Sequence, residues 1–138
     1  LARAAMWAQG PEVHIGTWPG SSTTADDIRR FVAKECRVFV ISAGAVLSSD
    51  HVPADFPVLD QMLEHGDSWA SGGSIVVGPD GVVIGAADDH DETILYADLD
   101  LAEVRGERQN FDPAGHYSRP DVLQLTVDRQ RRAPATFI

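Results

Sequence analysis

The spacing of apolar and polar positions divides the chain into short elements. Leu1, Ala4, Ala5, Trp7 and Ala8 recur at helical intervals and predict a helix that Gly10 and Pro11 end. No capping residue precedes Leu1, so the helix is expected to be already under way there, with further residues upstream. EVHIGTW (12–18) then alternates in steps of two. Val13, Ile15 and Thr17 fall on one face and Glu12, His14 and Gly16 on the other, as in a strand. WPGSST reads as a turn. Thr24, with Asp27 three positions on, predicts the N-cap of a helix over 24–36 whose inner face carries Ile28, Phe31, Val32 and Glu35.

RVFVISAGAVL (37–47) contains the unbroken apolar run Val38–Ile41, rich in β-branched residues, which predicts a strand covered on both faces. Residues 48–71 read as a long loop with one short helix near PVLDQMLEH. SIVVGPDGVVIGAA (74–87) carries the strongest local signal. Its two apolar runs flank Gly78-Pro79-Asp80-Gly81, where proline suits the first corner of a turn and Gly81 tolerates positive φ, so a β-hairpin is expected. ETILYADLD (92–100) predicts a third strand, LAEVRGER (101–108) a short helix and DVLQLTV (121–127) a last strand. Strands alternating with helices around a central hairpin indicate an α/β layered fold with a mixed sheet and flanking helices.

The length of 138 residues suits one domain, and neither an internal repeat nor a low-complexity linker divides it. The formal charge of -10, from 11 basic and 21 acidic residues, argues against a nucleic-acid partner, because a phosphate backbone demands a basic surface. DRQRR (128–132) is expected to be a solvated tail. No apolar run approaches the ~20 residues of a membrane span, the start lacks a signal-peptide pattern, and the single cysteine allows no internal disulfide. A reducing, cytoplasmic setting with no membrane partner follows as an expectation.

The chemistry-bearing residues are scattered. His14, His51, His65, His90 and His116 show no metal-ligand spacing, and the acidic run 88–92 lacks the pattern of a calcium loop, so no metal and no other cofactor is expected. Gly72-Gly73-Ser74 precedes a strand rather than opening a helix, so it suits a close approach of two backbones and not a phosphate cradle. Lys34, Glu35 and Cys36 are consecutive. Neighbours on a helix point about 100° apart, so these three side chains do not converge on one atom. Cys36, at the junction of a helix and a buried strand, is expected to pack as a small inert hydrophobe.

FDPAGHYSRPDVLQLTV (111–127) resembles the ending of the nitrilase branch of the carbon–nitrogen hydrolase superfamily, where Gly-His-Tyr-Ser-Arg-Pro-Asp precedes the last core strand. The likeness continues upstream in ILYADLDL (94–101), GGSIVVGPDGVVI (72–84), AKECRVFV (33–40) and LARAAMWAQGPEVHIGTWPG (1–20). It implies that residues 1–127 are the C-terminal part of an αββα sandwich and that 128–138 form a tail. Family members resembling this chain hydrolyse a nitrile to its acid and ammonia with a glutamate base, a lysine and a cysteine nucleophile. That cysteine lies in a Cys-Trp-Glu-Asn motif absent from this chain, so the resemblance places all three catalytic residues upstream and assigns no catalytic residue here.

The resemblance further implies that Thr17, Trp18 and His116 border the substrate pocket, while Glu35, Tyr117, Arg119 and Asp121 support it. Gly16 stands where the family tends to have a larger residue and would widen the pocket; Thr93 replaces a family glycine and would alter a turn. The implied substrate is a small organic nitrile, aryl or arylacetic. The implied partner is a second copy of the chain, in dimers that build into spirals. Two alternatives stay open: an amidase or cyanide-degrading relative, and a truncated remnant without catalysis.

Overall fold

The computed structural model describes residues 2–19, 21–130 and 135. The readings that rest on Leu1, on Gly20 in the turn and on Arg131, Arg132 and the other tail residues lie outside the described residues. Helix α1 (Ala2–Trp7) leads into strand β1 (Val13–Trp18), helix α2 (Ser22–Cys36) and strand β2 (Phe39–Gly44). A small excursion follows, made of β3 (Val46–Ser48), a 3₁₀ turn (Ser49–His51), α3 (Leu59–Leu63) and β4 (Ser68–Ser71). The hairpin β5 (Ile75–Val77) and β6 (Val83–Ala86) and the helix α4 (Leu101–Asn110) are the last elements among the described residues.

The main sheet runs β1-β2-β5-β6, with β1 parallel to β2 and the other pairs antiparallel. A mixed sheet results because α2 serves as the crossover that a parallel pair requires, whereas Gly78–Gly81 allows an immediate reversal. In that reversal Gly81 has φ +85, Gly78 N–H donates to Val82 O at 2.8 Å, and Val82 N–H donates to Asp80 Oδ1 at 2.9 Å. The hairpin foreseen from the sequence is therefore present.

The core lies between α1, α2 and one face of the sheet. Trp7, Val32, Ala33, Cys36, Val38, Val40, Ile75 and Val77 form one buried cluster, and each valine fully buried there stabilises the fold by about 2 kcal/mol. The buried stripe of α2 is Ala25, Arg29, Val32, Ala33 and Cys36. This corrects the expected inner face: Val32 belongs to it, but Ile28 and Phe31 are exposed. Two alanines let the helix lie close to the sheet, and that proximity rotates the larger apolar residues outward. The helix also starts earlier, at Ser22, with Ser21 rather than Thr24 at the N-cap.

α2 stops at Arg37, which takes the left-handed conformation (φ 52) while its N–H reaches Ala33 O. The strain of about 1 kcal/mol for a residue with a Cβ is offset by a 2.7 Å ion pair from Arg37 to Glu107 of α4. Val104 is buried beneath that contact's helix, and Arg108 donates to Pro11 O, so α4 is fastened to the amino end of β1.

Three further differences from the sequence reading share one cause. Residues 92–100 and 121–127 alternate as strands do but form none, because alternation needs a neighbouring strand to become a ladder. Conversely, the loop 48–71 contains β4, which pairs antiparallel with β3. The sheet face turned away from α2 carries Ile15, Ile41 and Val76 in register. Leu95 covers this face near Gly85, but Ile15 at the β1 edge stays 71% exposed.

Candidate functional site

In a sheet of this kind the side chains best placed for chemistry sit beyond the carboxyl ends of the parallel strands. Here those ends are Thr17 and Trp18 of β1 and Ala43 and Gly44 of β2, joined by Gly72–Ser74, which enters antiparallel β5 from the same edge. The glycines shape that edge. A Cβ on Gly44 would lie 2.0 Å from Gly72 O, and Gly72 and Gly73 have φ +83 and +69. Gly44 N–H donates to Ser74 Oγ at 3.0 Å and Gly72 N–H donates to Ala45 O at 2.9 Å. The close backbone approach expected of Gly72-Gly73 is thus what the structure contains.

Trp18 turns toward α2. Its indole lies back across Gly16, so that a Cβ there would stand 3.1 Å from Nε1. The expectation that Gly16 widens a pocket is corrected: the space above Gly16 is occupied by the indole. Over the same ring lies Arg29, whose Cζ is 5.9 Å from the ring centre. Arg29 is only 1% exposed, and its Nη1 donates to Asp26 Oδ1 at 2.9 Å and to Gly73 O at 2.6 Å. Thr17 points to the other sheet face and is exposed.

At the same edge Ser22, the first residue of α2, donates to Asp89 Oδ2 at 2.9 Å. A carboxylate beside a helix N-terminus is electrostatically favourable, and it fills the position an anionic ligand would take. Two shallow grooves flank this corner. One, of about 400 Å³, is bordered by Ser21, Thr24, Trp69 and His90, and the other, of about 450 Å³, by Gly44, Ser74, Glu92 and Thr93. A larger groove of about 810 Å³ lies on the outer side of α2 between Phe31, Lys34 and Phe111, away from the strand ends.

His116 is elsewhere. The loop before it, Asp112–Gly115, closes a cavity of about 180 Å³ with Pro11 and Cys36 at the amino end of β1. The six residues of β1 separate that end from Trp18 by about 17 Å at the usual rise of a strand. His116 is therefore not a neighbour of Thr17 and Trp18 within this chain. Its ring centre lies 4.9 Å from that of Tyr117, and Tyr117 lies 4.8 Å from Phe111, both pairs tilted rather than stacked. Arg119 donates twice to Asp121, at 2.8 and 2.7 Å. This bond holds the Asp121 carboxyl below its ordinary value and the Arg119 guanidinium above its own, although both groups are exposed.

The Lys34-Glu35-Cys36 trio does not converge. Glu35 turns to α1, taking an ion pair from Arg3 at 2.7 Å and a hydrogen bond from Trp7 Nε1 at 3.3 Å. Cys36 is 3% exposed in the core. Burial first, and then the Glu35 carboxylate, push its thiol up from 9.0 to about 12, so it is protonated at neutral pH and unsuited to nucleophilic attack. Among the described residues no group of three or more His, Cys, Asp or Glu could hold a metal ion, and no helix is long and apolar enough to cross a membrane. Arg29 is the site residue that sequence reasoning missed. The signal available was Asp26 three positions earlier on the same helix.

The chain matches the carbon-nitrogen hydrolase family over residues 1–109. It is 33% identical over 142 residues to Nitrilase 1 of Arabidopsis thaliana, covering 100% of this chain and 41% of that protein. An aliphatic nitrilase of Rhodococcus rhodochrous is 31% identical over 153 residues, covering 100% of this chain and 39% of its own. A nitrilase of Bradyrhizobium diazoefficiens is 37% identical over 137 residues, covering 99% of this chain and 42% of that one. The chain thus spans 39% to 42% of the length of these relatives. The crystal structure of a carbon-nitrogen hydrolase from Helicobacter pylori G27 superposes with a TM-score of 0.64 at 23% identity, covering 87% of this chain and 42% of that one, and so shares the fold. With its mixed sheet, flanking helices and family match over most of its length, the chain belongs to the carbon–nitrogen hydrolase family.

Proposed function

We propose that this chain is the C-terminal part of a nitrilase and that, joined to an upstream part, it hydrolyses an organic nitrile to the carboxylic acid and ammonia. One observation carries the reading. Nitrilases align along essentially the whole chain, yet its single cysteine is a core residue with its thiol pushed up to about 12. The nucleophile must then come from the part of the relatives that this chain does not span. In such a reaction the upstream thiolate adds to the nitrile carbon and gives a thioimidate; water then displaces ammonia, and a second water releases the acid.

This chain's share is the pocket wall and the frame behind it. Thr17 and Trp18, at the carboxyl edge of β1, border the substrate, and an aromatic wall suits an aryl or arylacetic nitrile. Glu35 binds α1 to α2, while the tilted His116–Tyr117 ring contact and the Arg119–Asp121 pair stiffen the C-terminal loop. By itself the chain is inactive. The exposed face around Ile15 supports association with the upstream part and with further copies.

The test is to express the chain in frame with the coding region upstream of it and to analyse the products from phenylacetonitrile and benzonitrile. Acid with stoichiometric ammonia is expected. Turnover confined to amide substrates, or formamide from cyanide, would instead assign the amidase or cyanide-degrading alternative. No turnover of any of them would leave the non-catalytic remnant.

A further inference from the structure

Arg29 is a charged side chain placed where α2 is otherwise apolar. Its neighbours along the buried stripe are Ala25, Val32, Ala33 and Cys36, and its side chain has no solvent exposure. Nε and Nη2 find no hydrogen-bond partner among the described residues. A position that served stability alone would favour an apolar side chain of this size, since burying a guanidinium with unsatisfied N–H groups is costly. What the guanidinium adds is simultaneous contact with three elements. It holds the Asp26 carboxylate on its own helix and Gly73 O before β5, and its Cζ lies over the indole of Trp18 at the end of β1.

Those contacts fix an otherwise free side chain. Trp18 sits on the edge strand of the sheet, and its indole makes no hydrogen bond among the described residues. Gly16 leaves room for the ring, and Arg29 supplies the surface it rests on. We propose that Arg29 is a positioning residue which, with Gly16 as the seat of the indole, sets Trp18 as the wall that selects aryl over small aliphatic nitriles. This inference rests on the nitrilase reading and deepens it. A wall that touches the aryl group equally before and during reaction contributes uniform binding, so its displacement is read in KM rather than kcat.

The experiment compares steady-state kinetics of the full polypeptide, upstream part included, on phenylacetonitrile and propionitrile. Arg29→Met is expected to raise the ratio of their KM values (phenylacetonitrile to propionitrile) by about fivefold, the size of a cation–π contact of about 1 kcal/mol. Arg29→Lys should fall between, because an ammonium keeps the charge but does not offer a plane and two forks together. Gly16→Ala leaves the buried charge alone and displaces the indole by a few tenths of an ångström, so the same ratio should rise. It also decides the matter should Arg29→Met fail to fold. An unchanged KM ratio in Gly16→Ala and Arg29→Lys, with kcat falling in parallel on both nitriles, would reduce Arg29 to a structural residue. A wild type that hydrolyses neither nitrile would instead sink the nitrilase reading, and this inference with it.

Discussion

Gly44→Ala tests whether the carboxyl edge is packed as tightly as its geometry states. The new Cβ would lie 2.0 Å from Gly72 O, 2.6 Å from its carbonyl carbon and 3.2 Å from its Cα. All three are backbone atoms, so no side chain can swing aside. Relieving the contact requires a separation of about 1 Å between two segments of a close-packed interior. That movement breaks Gly44 N–H to Ser74 Oγ and Gly72 N–H to Ala45 O, which stand at 3.0 and 2.9 Å. Two hydrogen bonds at about 1 kcal/mol each, with overpacking of about 1–3 kcal/mol, give a loss of about 3–5 kcal/mol. Urea unfolding followed by far-UV circular dichroism reads it. Gly106→Ala is the control: the position is helical and nothing lies within 4 Å, so alanine should stabilise by up to about 1 kcal/mol. A Gly44→Ala protein within about 1 kcal/mol of wild type would refute the packing derived for this edge.

Cys36 should resist a thiol reagent such as DTNB in the native protein and react at once in guanidinium. Because its thiol is raised from 9.0 to about 12, the stability it contributes is complete below pH 9 and is lost as pH rises from there toward 12. The wild type should therefore lose up to about 1.4 kcal/mol per pH unit more than Cys36→Ala in that window; parallel alkaline limbs for the two proteins would contradict the burial argument. Glu35→Ala should cost about 1–2 kcal/mol by releasing Arg3 and Trp7, measured by urea unfolding, and an unchanged midpoint would show that α1 is held by packing alone. Ile15→Lys should lower the apparent mass in light scattering with little change in stability, since Ile15 is 71% exposed; an unchanged mass would move the association surface elsewhere.

How much of this was legible in the sequence depends on how local the determinant is. The β5–β6 hairpin is written in a four-residue turn, and β1 in a period of two, so both are readable from their own residues. The inner face of α2 is not. Ile28 and Phe31 are more apolar than Ala25 and Ala33, but the short side chains decide how near the helix comes to the sheet. Residues 92–100 and 121–127 have a strand's alternation without a strand's neighbour, which only the assembled topology reveals. At the candidate site, Thr17 and Trp18 could be placed at a strand end from pattern and resemblance. The distance from them to His116, and the burial of Arg29 beneath the indole, arise from the way β1, α2 and α4 meet.

The central claim is that the nucleophile lies upstream and that Cys36 is core. The most direct measurement is ammonia release from phenylacetonitrile and benzonitrile by the 138-residue chain, alone and joined to its upstream part, each with a Cys36→Ala counterpart. The account predicts no ammonia from the chain alone, and release from the joined protein that persists in Cys36→Ala. Ammonia released by the chain alone, and lost in Cys36→Ala, would make this cysteine the nucleophile and contradict the account.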